Sequence, residues 1–127
     1  MKSIILSILI LASIVGLGFL LFKNPSIPSS ENASTVTVKD GKQFIEITAK
    51  GGYSPKTSNA KAGLPTILRV KTSRTFDCSS AIRLPSLNIS ENLPASAVTD
   101  IDLGVQQAGI LPGTCAMGMY NFEINFQ

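Results

Sequence analysis

The chain has 127 residues, 44% hydrophobic and 15% charged, which is too short for two full domains and too apolar for a disordered protein. It contains no histidine, which excludes Ser-His-Asp and Cys-His catalysis, imidazole proton shuttles and every metal site built on imidazole. Of the formal charge of +3, Lys2 and Lys23 belong to the flanks of an apolar run, and from Glu31 onward nine Lys and Arg face eight Asp and Glu, with no basic cluster to form a nucleic-acid footprint.

That run, Ile4 to Phe22, holds nineteen consecutive uncharged positions built on Ile, Leu, Val and Phe. As a helix it would span about 28 Å, close to the roughly 30 Å of a bilayer hydrocarbon core. A cleaved signal peptide would have a shorter apolar core and a small-residue exit, whereas Phe22-Lys23-Asn24-Pro25 follows here. The sequence therefore predicts a single transmembrane anchor over residues 1–23. No cysteine lies near its end, so lipid attachment does not replace it. Lys2 favours an N-inside orientation, which would put the following domain on the extracytoplasmic side of the membrane. Residues 24–34, rich in Pro, Ser and Asn, lack the apolar surface to fold and are expected to be a flexible tether.

From Thr35 the apolar period becomes two. Val36 and Val38 alternate with polar residues, Asp40-Gly41 supplies a tight turn, and Phe44, Ile45 and Ile47 resume, which predicts a β-hairpin. Lys50 to Pro55 and Lys61 to Pro65 are breaks rich in Gly and Pro, and Thr66 to Thr72 is the next strand. Ser80 to Leu84, Ala97 to Leu103 and Tyr120 to Phe126 follow as short runs bounded by turn formers. No stretch after residue 24 carries ten residues of helical periodicity, so residues 35–127 are expected to form an all-β Greek-key β-sandwich. A unit of this size buries a modest core, and a covalent or metal crosslink would matter to its stability.

Three sulfurs fall within five residues, Cys115-Ala116-Met117-Gly118-Met119; the other cysteine is Cys78. Gly113 and Gly118 would let the backbone curl so that the sulfurs converge. Thiolate and thioether donors select copper(I), while zinc and iron-sulfur sites would need more cysteine or histidine than the chain has. The competing reading is a Cys78–Cys115 disulfide in an exported domain, closing a loop of about 38 residues and contributing roughly 4 kcal/mol on the chain-entropy model. The methionines would then be core fillers. Asp77 beside Cys78 is either a group that tunes the site or a solvated turn residue. Tyr53 and Tyr120 either flank the site or, for Tyr53, end a strand with the ring in the core and the hydroxyl at the surface. Asp100 and Asp102 share a strand face, but without a partner acid they are expected to be solvent-facing, and no residue supports enzymatic activity.

Several segments in order carry a resemblance: Gly52-Tyr53-Ser54-Pro55, Ala62-Gly63-Leu64-Pro65 leading into a strand, Cys78, Arg83 to Ile89, Leu93-Pro94, and the Cys-x-Met-Gly-Met box at Cys115 to Met119. Together they resemble the cupredoxin-like domains of the plastocyanin and azurin superfamily, and in particular a bacterial subgroup with that box often found with copper-transport proteins. The resemblance covers residues 36–126. It implies that Cys115 is the thiolate ligand following the penultimate strand and that Cys78 stands where plastocyanin-type proteins place their first histidine. Met117 and Met119 would occupy the ligand loop. A blue-copper centre needs two imidazoles, so electron transfer is disfavoured. The resemblance instead implies a copper(I) site of Cys78, Cys115, Met117 and Met119 serving copper trafficking or homeostasis. The partners implied are the copper ion, the membrane through the N-terminal helix, and a copper transporter or acceptor protein. The alternative is a metal-free β-sandwich interaction module stapled by Cys78–Cys115, and the same cysteines would serve both states if they were bonded when oxidised and ligating when reduced.

Overall fold

A computed structural model describes residues 35–127 together with Ile4. The expected anchor and tether lie outside the described residues, and no helix among the described residues is long and apolar enough to cross a membrane. Ten strands make an all-β sandwich. They are β1 (Thr35–Lys39), β2 (Lys42–Ala49), β3 (Tyr53–Ser54), β4 (Thr57–Ala60), β5 (Pro65–Thr72), β6 (Ala81–Leu84), β7 (Ile89–Asn92), β8 (Ala97–Val105), β9 (Gly109–Cys115) and β10 (Asn121–Phe126). One sheet has the order β1-β2-β5-β8 with β3 on β2, and the other β4-β10-β9-β6-β7.

Alternation decides which residues face the core. In β2, Gln43, Ile45, Ile47 and Ala49 point inward, and in β5 Thr66, Leu68, Val70 and Thr72 do so. Opposite them stand Ile82 and Leu84 of β6, Leu111 and Cys115 of β9, and Phe122, Ile124 and Phe126 of β10. Ile45, Leu68, Val70, Ile82, Leu84 and Ile124 are wholly buried, each burial contributing roughly 1.5–3 kcal/mol relative to exposure. Gln43 is a buried polar residue in this row, and its carboxamide is satisfied. Its Nε2 donates to the Lys61 carbonyl and to Thr66 Oγ1, and its Oε1 accepts from the Lys61 amide.

The hairpin at Asp40-Gly41 forms as expected, with Lys39 opposite Lys42 and left-handed backbones at both turn residues. The expected strands at 66–72, 97–103 and 120–126 are present within a residue or two, whereas Ser80 belongs to a 3-10 turn, Cys78–Ser80, that precedes β6. β3 lies in a stretch expected to be a break, and strands β4, β7 and β9 were not anticipated either. Their sequences, TSNA, ISEN and GILPGTC, carry few β-branched apolar residues or contain Gly and Pro, so alternation does not show in them. Both sheets are mixed, because β2 pairs parallel with β5 and β4 pairs parallel with β10. The parallel pair β2 and β5 brings Ala49 and Thr72 to the same end of the sandwich, and this end carries the sulfurs.

Candidate metal centre

Cys115 is the last residue of β9 and is buried to 1% exposure. Its amide donates to the Tyr120 carbonyl at 3.0 Å, which closes the β9–β10 hairpin just beyond the strand. Its carbonyl accepts from the Gly118 amide at 3.0 Å, and Gly118 takes φ +71°, a conformation that glycine adopts without strain. The Ala116 amide is held by the Ala81 carbonyl at 2.9 Å. The box is thus a tight turn, as its glycine suggested, but Gly113 does not help to form it. Gly113 sits inside β9 opposite Phe122, and a Cβ there would overlap the Phe122 ring. Its role is to seat the aromatic ring of the next strand.

Cys78 comes from the other sheet connection. Thr75, buried at the start of the turn, donates its hydroxyl to the Ala49 carbonyl at 2.6 Å and its amide to the Ala95 carbonyl at 2.9 Å. Asp77 then caps the Cys78–Ser80 turn. One carboxylate oxygen accepts from the Ser79 amide at 2.8 Å and from the Ser79 hydroxyl, and the other accepts from the Gly51 amide at 2.9 Å. The Ser79 hydroxyl first, and then the Gly51 and Ser79 amides, hold the carboxyl below the usual Asp range. Asp77 is therefore a half-exposed turn residue, but its carboxylate is engaged by the Ser79 and Gly51 groups rather than free. It fixes the turn that presents Cys78.

These two supports bring the cysteines together. Cys78 and Cys115 form a disulfide, with their Cα atoms 5.8 Å apart. The methionines are not core fillers, as the competing reading would have them: Met117 and Met119 stand 78% and 65% exposed in the turn directly after Cys115. Cys78 and Cys115 are the pair that the fold joins, and Met117 and Met119 follow Cys115 by two and four residues in the adjoining turn. Among the described residues no three His, Cys, Asp or Glu side chains converge, so the donors offered here are sulfur. Such a set fits a soft monovalent ion once the disulfide is reduced and the thiols have lost their protons.

Two aromatic residues flank the Gly51-Gly52 loop. Tyr53 is buried, not surface-tipped as expected: its ring meets Phe122 edge-on at 4.8 Å, and its hydroxyl is enclosed without a hydrogen-bond partner. Burial first, and then the charge of Asp77, push its pKa up to about 12. Tyr120 is half-buried over Gly52, where an added Cβ would lie 3.5 Å from its ring. Asp100 and Asp102 are exposed, as expected, and do not act as a pair. Asp100 takes a two-pronged contact from Arg69 at 2.8 and 2.7 Å, and Asp102 accepts from the Gly104 amide. Sequence pattern did not reveal the supporting roles of Thr75, Asp77 and Gly113. The Asp-x-Ser spacing at Asp77 and Ser79 was the available signal for the cap.

The family described as Cupredoxin-like domain matches residues 10–124. Among solved structures, the metal-binding domain of the Cu(I)-exporting P-type ATPase CopA of Streptococcus pneumoniae D39, solved with Cu(I), superimposes with a TM-score of 0.67. It is 22% identical, and the match covers 72% of this chain and 92% of that one. A copper-binding protein solved by NMR in its apo form gives a TM-score of 0.67 at 24% identity, covering 72% and 94% of the two chains. A chain of a heme-copper terminal oxidase dimer solved by cryo-EM gives 0.53 at 12% identity, covering 99% and 97%. At these identities the likeness is one of fold. No curated protein sequence matches the chain.

Proposed function

The chain belongs to the cupredoxin-like domain family, and on that footing we propose that it is a membrane-tethered copper(I)-binding domain that holds copper for trafficking or homeostasis. The observation that carries this reading is the meeting of Cys78 and Cys115, the two cysteines of the chain, with Met117 and Met119 exposed in the turn that follows. The fold's likeness to a domain solved with Cu(I) and to an apo copper-binding protein supports it. A dithiol reductant delivers two electrons and two protons to the disulfide, and copper(I) then displaces the thiol protons to bind two thiolates. One or two exposed thioethers complete the set and remain open to an incoming partner's ligands, so the site suits receiving and passing on copper(I). A chain with no imidazole has no means of holding copper(II) in a blue-copper geometry, and binding with hand-over takes precedence over electron transfer.

The test is an anaerobic copper(I) titration of the full reduced chain in detergent against a competing chelator. Stoichiometric binding that is lost in Cys115→Ser supports the reading, and binding unchanged by that substitution sinks it. A second reading is favoured by the disulfide itself: a metal-free interaction module stapled by Cys78–Cys115. Intact mass before and after thiol alkylation separates the two, because a pair that stays oxidised in the cell and takes up no metal would support the staple.

A further inference from the structure

Three apolar side chains stand in solvent around the disulfide: Phe76 at 83%, Met117 at 78% and Met119 at 65% exposure. Phe76 lies two residues before Cys78 and Met117 two after Cys115, so the bond between the cysteines brings their loops side by side. A cluster of large exposed apolar side chains marks a surface that meets something. Cations rim it. Lys50 and Lys56 line, with Met119 and Tyr120, a hollow of about 400 Å³, and exposed Arg74 precedes Phe76 by two residues. None of these three cations joins either ion pair found among the described residues, which are Arg69–Asp100 and Lys71–Glu46. The acid nearest Cys78 in sequence, Asp77, is engaged by Gly51 and Ser79.

Strand direction adds the orientation. β1 starts at Thr35, opposite Glu46, and runs toward the Lys39–Lys42 turn, away from the cysteines. The chain before Thr35 therefore joins the domain from the side of the sulfur-bearing end. On the tethered reading eleven residues, 24–34, separate the expected anchor, residues 1–23, from Thr35, and a chain of that length would reach on the order of 20 Å.

We propose that the end bearing Phe76, Met117 and Met119 rests on an anionic phospholipid surface. The apolar residues enter the headgroup boundary, and Lys50, Lys56 and Arg74 lie against headgroup phosphates. This rests on the membrane-tethered reading given under Proposed function. Docking covers the thioethers, so receiving and passing on copper(I) belong to the undocked domain.

The chain has no tryptophan, so single tryptophans report cleanly. Phe76→Trp and Val38→Trp are made in the full chain, Val38 being exposed near the opposite end of β1. Each is reconstituted into phosphatidylcholine vesicles with brominated acyl chains, with and without phosphatidylglycerol. The expected result is that Phe76→Trp shifts to the blue and loses most of its emission only when phosphatidylglycerol is present. Val38→Trp stays unquenched, and adding Lys50→Glu with Arg74→Glu restores the Phe76→Trp emission. A chain that floats with the vesicles but leaves Phe76→Trp unquenched overturns the lipid docking alone and assigns the patch to a protein partner. Equal quenching at Val38→Trp also overturns it. A chain that does not float with the vesicles overturns the tether and the docking together.

Discussion

A carboxylate oxygen of Asp77 accepts the Gly51 amide at 2.9 Å, which ties the loop before Tyr53 to the turn that presents Cys78. The other oxygen caps that turn through Ser79. Removing the carboxylate in Asp77→Ala should cost about 1 kcal/mol, the usual size of a lost cap, seen as a lower urea midpoint. Copper(I) affinity should fall with it, because Cys78 loses its fixed position. The pH sign is set by the depressed pKa: the stabilisation is present above the ordinary carboxylate range and is lost as pH drops through the lower folded value. Urea midpoints measured below about pH 4 should decline in the native chain, and the Asp77-dependent part of that decline should be missing in Asp77→Ala.

Oxidation and metal binding oppose each other at Cys78–Cys115. The oxidised chain should bind no copper(I), and the reduced chain should bind it stoichiometrically. Reduced apo protein should melt lower than oxidised protein, by up to about 4 kcal/mol in stability on the chain-entropy model. Calorimetry of the oxidised, reduced and copper-loaded forms checks the order, with copper(I) restoring what reduction removes.

The two kinds of sulfur should separate in titration. Cys78→Ser or Cys115→Ser should abolish tight copper(I) binding. Met117→Leu and Met119→Leu, each at an exposed position, should leave the fold's melting unchanged and weaken binding by about tenfold, or ~1.4 kcal/mol. Loss of binding in neither methionine variant would remove the thioethers from the site. Adding copper(II) to the oxidised chain should give no intense visible thiolate band, since neither a free thiolate nor an imidazole is there to hold it.

Gly113 is filled by its neighbour. Gly113→Ala places a methyl group where the Phe122 ring lies and should destabilise by about 1–3 kcal/mol, the cost of overpacking a core. Combining it with Phe122→Leu should cost less than the sum of the two single changes. Thermal unfolding of the four proteins in the cycle measures this coupling, and simple additivity would refute the contact.

The Tyr53 hydroxyl is buried without a partner, which costs about 1–3 kcal/mol for a desolvated polar group. Tyr53→Phe should therefore be neutral or stabilising in urea. The folded phenol titrates at about 12, above its ordinary 10, so the native chain should lose stability as pH rises from about 10 toward 12. Tyr53→Phe should lose less over the same range.

The strands that alternate strongly, β2, β5 and β10, were legible in the sequence because Ile, Leu, Val and Phe recur at every second position. β9 was not, because Pro112 and Gly113 are turn formers by themselves, and here they lie in a strand whose partner ring takes the glycine's space. The pairing of Cys78 with Cys115 was one of two open readings, since composition gives the donors and not their distance. Met117 and Met119 are exposed in the turn that the hydrogen bond from Cys115 to Tyr120 closes, and side-chain alternation does not carry the shape of such a turn. The buried state of the Tyr53 hydroxyl depends likewise on Phe122, nearly seventy residues away.

The order of strands in the second sheet also bears on biosynthesis. β10 lies between β4 and β9, so the middle of that sheet is made after both of its edges. Cys78 is translated 37 residues before Cys115, which at roughly 5–20 residues per second is about 2 to 7 s. β9 has no neighbour on its far side until β10 follows. Throughout that interval the nascent chain carries Cys78 as a thiol whose partner has yet to be made. The interval in which a wrong partner, protein or metal, can capture this sulfur is thus set by the ribosome's pace.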